Sequence, residues 1–166
     1  MVRIRHVVIG ALVVIIGIVA ATRLFQSEEG RVRKRLDLLT EYVSKDSREN
    51  TFTTARKTQK MATLFADKCE LKTQIDSLSG SFTPREISSE AARARLQLSR
   101  LSARLYDVNI DFPQDGMAKV TLTVNVTGRM TNEVLIDETH EVECALKKIE
   151  NKWLFSRIEV VEVLRK

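Results

Sequence analysis

At Tyr106 the chain changes period, and that change limits what it can fold into. Tyr106, Val108, Ile110 and Phe112 alternate with Asp107, Asn109 and Asp111, and Val120, Leu122, Val124 and Val126 alternate with Thr121, Thr123, Asn125 and Thr127. Alternation sends successive side chains to opposite faces of an extended strand, so each segment has one apolar and one wet face. Strands of this kind build an antiparallel sheet covered on one side. Pro113 ends the first, and Asp115-Gly116 supplies a hairpin turn. Ile136, Val142, Cys144 and Leu146 share one parity in a third strand, and Glu150-Asn151-Lys152 turns into WLFSRIEVVEVL. This last strand is apolar on both parities, which predicts a central position or a bulge.

Before Tyr106 the spacing is helical. Ser27 is an N-cap with Glu28 and Glu29 behind it, and Val32, Leu36, Leu39 and Val43 form a stripe widened by Leu38 and Tyr42. SKDSREN interrupts it. A second helix is expected to bury Phe52, Ala55, Ala62, Phe65 and Cys69, with Met61 and Leu64 broadening that face, followed by a short strand from Cys69 to Ile75. Thr83-Pro84-Arg85-Glu86 has an N-cap, a proline in the first turn and a glutamate placed to close a capping box. The third helix carries Ile87, Ala91, Ala94, Leu98, Leu101 and Leu105 on one face and Arg93, Arg100 and Arg104 on a solvated one. Residues 27–166 therefore read as one α+β domain, three helices packed on one face of a curved, mainly antiparallel sheet.

Residues 1–26 are different. VVIGALVVIIGIVAA, from Val7 to Ala21, has no polar side chain, and Ile4 with Leu24-Phe25 extends it to the length of a membrane-spanning helix. Two readings compete. The run is an uncleaved membrane anchor, or it is a signal peptide cut after Val19-Ala20-Ala21. The anchor is favoured because the β-branched run continues to the cut site without a polar break. Arg3, Arg5 and Arg23 also account for part of the net charge of +5, since this segment holds no acid. The remainder carries 24 basic against 22 acidic residues, with no aromatic interleaving, which argues against nucleic acid as a partner. The expected topology is single-pass, with the C-terminal domain extracytoplasmic, periplasmic or at the cell surface.

The order of elements resembles the nuclear transport factor two-like superfamily, the cystatin-like α+β cone shared with SnoaL-like proteins. The segments that carry the resemblance are LFADKCEL, SFTPREIS, YDVNIDF and KKIENKWLFSRIEVVEVL. It implies a cone-shaped domain, and the superfamily holds lyases and isomerases beside non-enzymatic binding and assembly domains.

Lyases and isomerases of that superfamily place an acid, a His or a Tyr inside the cone. Here His140 shares the parity of Val142, Cys144 and Leu146, with Glu138 two residues before it, so a His–carboxylate pair is the catalytic candidate. Against it, every residue from Asp137 to Glu141 is polar, as at the wetter end of a long strand. Asp37 reads as solvated and Asp67 as a helix-end residue, so neither supplies an obvious second acid. Tyr42, Phe65, Tyr106 and Trp153 are the aromatic candidates for a ligand pocket. Cys69 and Cys144 fall on apolar parities and are a disulfide candidate. Arg31, Arg33, Lys34 and Arg35, just past the apolar run, are candidates for anionic headgroups, although Glu28, Glu29, Asp37 and Glu41 offset them.

No metal site and no cofactor are expected. The function expected is a membrane-anchored, non-catalytic binding or assembly domain for a protein partner or an apolar ligand, with a small-molecule lyase or isomerase as the alternative. Partners would be the membrane, a protein of an envelope assembly, and a second copy meeting through the sheet.

Overall fold

A computed structural model describes residues 28–73 and 79–164. Its helices are α1 (residues 28–43), α2 (Thr51–Ala62) and α3 (Pro84–Leu96). Its strands are β1 (Phe65–Lys72), β2 (Gly80–Phe82), β3 (Leu98–Gln114), β4 (Met117–Met130), β5 (Leu135–Ile149) and β6 (Lys152–Leu164). The six strands form one sheet in the order β2-β1-β6-β5-β4-β3, antiparallel except where β1 runs parallel to β6. The apolar run and both of its readings lie outside the described residues. Among the described residues, no helix is long and apolar enough to cross a membrane.

The helices start where side chains can cap them. Asn50 accepts from the Thr53 N–H at 2.8 Å and opens α2. Thr83 and Glu86 close the expected capping box at the start of α3, with the Thr83 N–H on the Glu86 carboxylate at 2.7 Å. Val32, Leu36 and Tyr42 of α1 are buried in the same core as Val120, Leu122, Cys144, Leu146 and Phe155 from one face of the sheet. β6 lies between β1 and β5, the central position its two-sided apolar pattern predicts.

Three expectations are corrected. The second helix stops at Ala62, and Phe65 and Cys69 belong to β1. Phe52 is 76% exposed and Ala55 is exposed, while Thr58 joins the expected Met61 at the buried positions of α2. The third helix stops at Leu96, so Leu98, Leu101 and Leu105 belong to β3. A four-residue spacing stays on one face of a helix and of a strand alike, so Phe65–Cys69 and Leu101–Leu105 could not separate the two. Lastly, Asp107 has a φ of 51° and the β3–β4 register shifts between Tyr106 and Asn109. This bulge reverses the parity within the strand. Tyr106 pairs with Thr123 on the outer face, whereas Ile110 pairs with Val120 on the inner one.

The turns fix the two ends of the sheet. Gly116, at a φ of 71°, closes the β3–β4 hairpin, and Glu150 and Asn151 both take positive φ in the two-residue β5–β6 turn. At the other end Gly128 sits against β3, where an added Cβ would stand 2.6 Å from the Arg100 carbonyl oxygen.

Candidate functional site

Tyr42, Phe65 and Trp153 are all more than nine-tenths buried and belong to the core cluster. The Phe65 and Phe155 rings meet at 5.7 Å. These aromatics therefore help to fill the space between helices and sheet. Tyr106, the fourth aromatic candidate, is about half exposed on the outer face.

Trp153 also forms the wall of an open cleft of about 450 Å³, with Phe112, Gln114, Asp115, Gly116, Lys148 and Glu28. Its ring packs at 5.8 Å from that of Phe112. Glu28, in the first turn of α1, accepts from the Trp153 indole N–H at 2.7 Å and from the Lys148 ammonium at 3.0 Å. Arg31 donates to the same carboxylate at 3.1 Å and to Asn151 at 3.3 Å. Burial alone raises the Glu28 pKa, but the hydrogen bonds from Lys148 and Trp153 and the charges of Lys148 and Arg31 outweigh it and hold the carboxyl below its ordinary range. One carboxylate thus ties the start of α1 to the last hairpin.

The expected pair forms on the inner-face parity of β5: His140 Nε2 lies 3.0 Å from a Glu138 carboxylate oxygen. The other ring nitrogen, Nδ1, is buried and has no hydrogen-bond partner among the described residues. With Nε2–H donating to Glu138, Nδ1 carries the ring's free lone pair in a buried position, and none of the described clefts is lined by His140. Glu138 is largely exposed, so the pair sits at the open end of the strand. Asp37 and Asp67 are exposed on α1 and β1. Among the described residues, no group of three or more His, Cys, Asp or Glu side chains is placed to hold a metal ion.

The two cysteines are buried and unpaired with each other. With β6 between their strands, the Cα atoms lie about two strand spacings apart, ~9–10 Å, beyond the reach of a disulfide. Burial pushes both thiols up to about 12. The basic run after the apolar segment is partly engaged, Arg31 with Glu28 and Arg33 with Glu29 at 3.3 Å, while Lys34 is exposed.

One cluster was not anticipated. Arg95, 3% exposed, donates to the carbonyls of Tyr42 and Val43 at 2.8 and 2.9 Å and to that of Ser44 at 3.2 Å, and it pairs with Glu49. Glu49 also accepts from Lys57 at 2.7 Å and from Thr54 at 2.9 Å. A signal existed, because Arg95 lies four residues after Ala91 and eight after Ile87 on the buried stripe of α3.

No protein-family model matches the sequence, and no curated protein matches it. Solved structures do. A candidate scytalone dehydratase from Novosphingobium aromaticivorans aligns over 87% of this chain and 89% of its own, at 16% identity and a TM-score of 0.68. A hexachlorocyclohexane dehydrochlorinase from Novosphingobium barchaimii aligns over 84% and 90%, at 10% identity and a TM-score of 0.67. A candidate calcium/calmodulin-dependent protein kinase II association domain from Xanthomonas campestris aligns over 77% and 82%, at 14% identity and a TM-score of 0.59. At these identities the likeness establishes the fold: the described residues adopt the α+β cone of nuclear transport factor two-like and SnoaL-like proteins. Both enzymes and an association domain stand among these neighbours, so the fold leaves the activity open.

Proposed function

We propose that this chain is a membrane-anchored, extracytoplasmic binding domain of non-catalytic type, and that it docks a protein partner. One observation carries the proposal. Leu96, Val134 and Leu135 are 76%, 51% and 70% exposed, and all three belong to the end of the sheet where the Thr131 N–H meets the Gln97 carbonyl at 2.9 Å. Large apolar side chains left in water at one end of a small domain are what a protein interface covers. The outer row of Thr121, Thr123, Asn125 and Thr127 is uncharged and suits a second copy of the chain as an additional partner.

The test is cross-linking in membranes with wild type and with Leu96→Asp/Leu135→Asp. Loss of a heteromeric cross-link in the variant, with unchanged thermal stability, is the expected result. An identical cross-linking pattern would refute docking at this end.

A second reading, a small-molecule lyase or isomerase, is favoured by the buried, unpartnered Nδ1 of His140. His140→Ala separates the two. A cellular function lost without unfolding supports the enzyme, and an unchanged function removes it.

A further inference from the structure

We infer that the β3–β4 and β5–β6 turn end of the sheet lies against an anionic lipid surface, with Lys147, Ile149 and Lys152 facing the headgroups. This rests on the reading of residues 1–26 as an anchor and adds to it the face that the domain turns to the bilayer.

Chain length bounds the geometry. With the span taken to Phe25, only Gln26 and Ser27 precede Glu28, and even counted from Ala21 the chain reaches at most about 25 Å when fully extended. Glu28 is itself held to Trp153 and Lys148 beside both turns. From there α1 runs toward the opposite end of the sheet, where Lys45 bridges Leu101 of β3. The fourteen residues of β4 put that opposite end roughly 45 Å away along the strand. The tether therefore leaves the turn end near the membrane and holds Leu96, Val134 and Leu135 away from it, free for a protein partner.

The outer face of the near end fits the same surface, although the two turns themselves carry the exposed acids Asp115 and Glu150. Met117 pairs with Lys147, Lys147 with Leu154, and Ile149 with Lys152, so these five side chains share the outer face at the turns. Lys147, Ile149 and Lys152 are exposed there. Ammonium groups interleaved with apolar side chains suit a boundary between phosphate and acyl chain. By contrast, Arg31 and Arg33 of the basic run are engaged by Glu28 and Glu29.

The experiment uses the full chain in vesicles of phosphatidylcholine containing phosphatidylglycerol. Trp153, the single tryptophan, serves as donor to a dansyl acceptor on the headgroups. Transfer is expected in the wild type. It is expected to fall when Leu135→Trp adds a donor at the far end, and to fall again in Lys147→Glu/Lys152→Glu while the protein stays with the vesicles. Mean transfer that is unchanged or raised by the added donor, or unaffected by the lysine pair, overturns the orientation. Protein washed from the vesicles by alkaline carbonate overturns the anchor instead.

Discussion

Arg95 and Glu49 form an ion pair in which both side chains are almost fully buried. The guanidinium reaches past the carboxylate to the last carbonyls of α1, so one side chain satisfies the C-terminal end of that helix and neutralises the loop that begins α2. Lys45 adds its ammonium to the carbonyls of Arg95 and Leu98, at 2.7 and 2.6 Å, where α3 gives way to β3. Three helix ends are thus fastened at one place, away from the turn end that Glu28 fastens.

Removing one member of this pair leaves the other charged and buried. Glu49→Gln keeps the shape but strands Arg95 and Lys57, and a loss of about 3 kcal/mol is expected. Arg95→Met loses the helix-end hydrogen bonds as well and should cost at least as much. Urea denaturation of residues 27–166 measures both, and a midpoint equal to wild type would contradict the burial.

The same carboxylate makes stability depend on pH. Burial opposes ionisation of Glu49, but hydrogen bonds from Lys57, Arg95 and Thr54 and the Arg95 charge prevail and lower its pKa to about 2 from an ordinary 4.5. A depressed folded-state value means the contribution is fully present above the unfolded value and is lost as pH falls through the folded one. The shift corresponds to about 3 kcal/mol, of which roughly 2 should be gone by pH 3. Urea midpoints measured from pH 7 to pH 3 should fall more steeply in wild type than in Glu49→Gln. Parallel curves would assign the acid lability to other groups.

What could be read in the sequence was what a repeating period encodes. The alternation in β4 and β5, the capping box at Thr83 and the turns at Gly116 and Asn151 each follow from neighbouring residues, and the structure has them. The ends of α2 and α3 did not, because Phe65, Cys69, Leu101 and Leu105 keep a spacing common to helix and strand. The alternation alone puts Tyr106 on the inner face, and one left-handed residue, Asp107, reverses the parity and turns it outward. The Glu138–His140 contact is local and was expected. Glu28 with Trp153 and Glu49 with Arg95 are 125 and 46 residues apart in the chain, and no local pattern joins them.

Cys69 and Cys144 should be inert in the folded protein. With both thiols near 12, about one molecule in ten thousand carries a thiolate at pH 8. An aromatic disulfide reagent should react with neither thiol under native conditions and with both in denaturant. A disulfide formed under mild oxidant with no loss of structure would contradict the placement of β6 between them.

Gly128 tests the close approach of β3 and β4. An added methyl would meet the Arg100 carbonyl oxygen at 2.6 Å and a Leu101 methyl at 3.0 Å, and the first of these is backbone. Gly128→Ala should therefore part the strands locally and cost about 1–3 kcal/mol, seen as a lower Tm. Alanine normally suits a strand at least as well as glycine, so a neutral result would mean the strands are not this close.

Trp153 reports on the tie between α1 and the last hairpin. Glu28→Ala removes the acceptor of its indole N–H and leaves Lys148 without that carboxylate, at the wall of the cleft beside Phe112. The expected outcome is a shift of tryptophan emission to longer wavelength, stronger quenching by acrylamide and a loss of about 1–3 kcal/mol. Glu28→Gln retains an oxygen for the indole but not the charge facing Lys148 and Arg31, so its emission should stay nearer that of wild type while part of the stability is lost. Wild-type emission and wild-type stability in both variants would show that α1 is held by its apolar face alone, through Val32 and Leu36. The turn end would then have no fixed relation to the chain entering at residue 28, and the orientation inferred for the domain would lose its structural support.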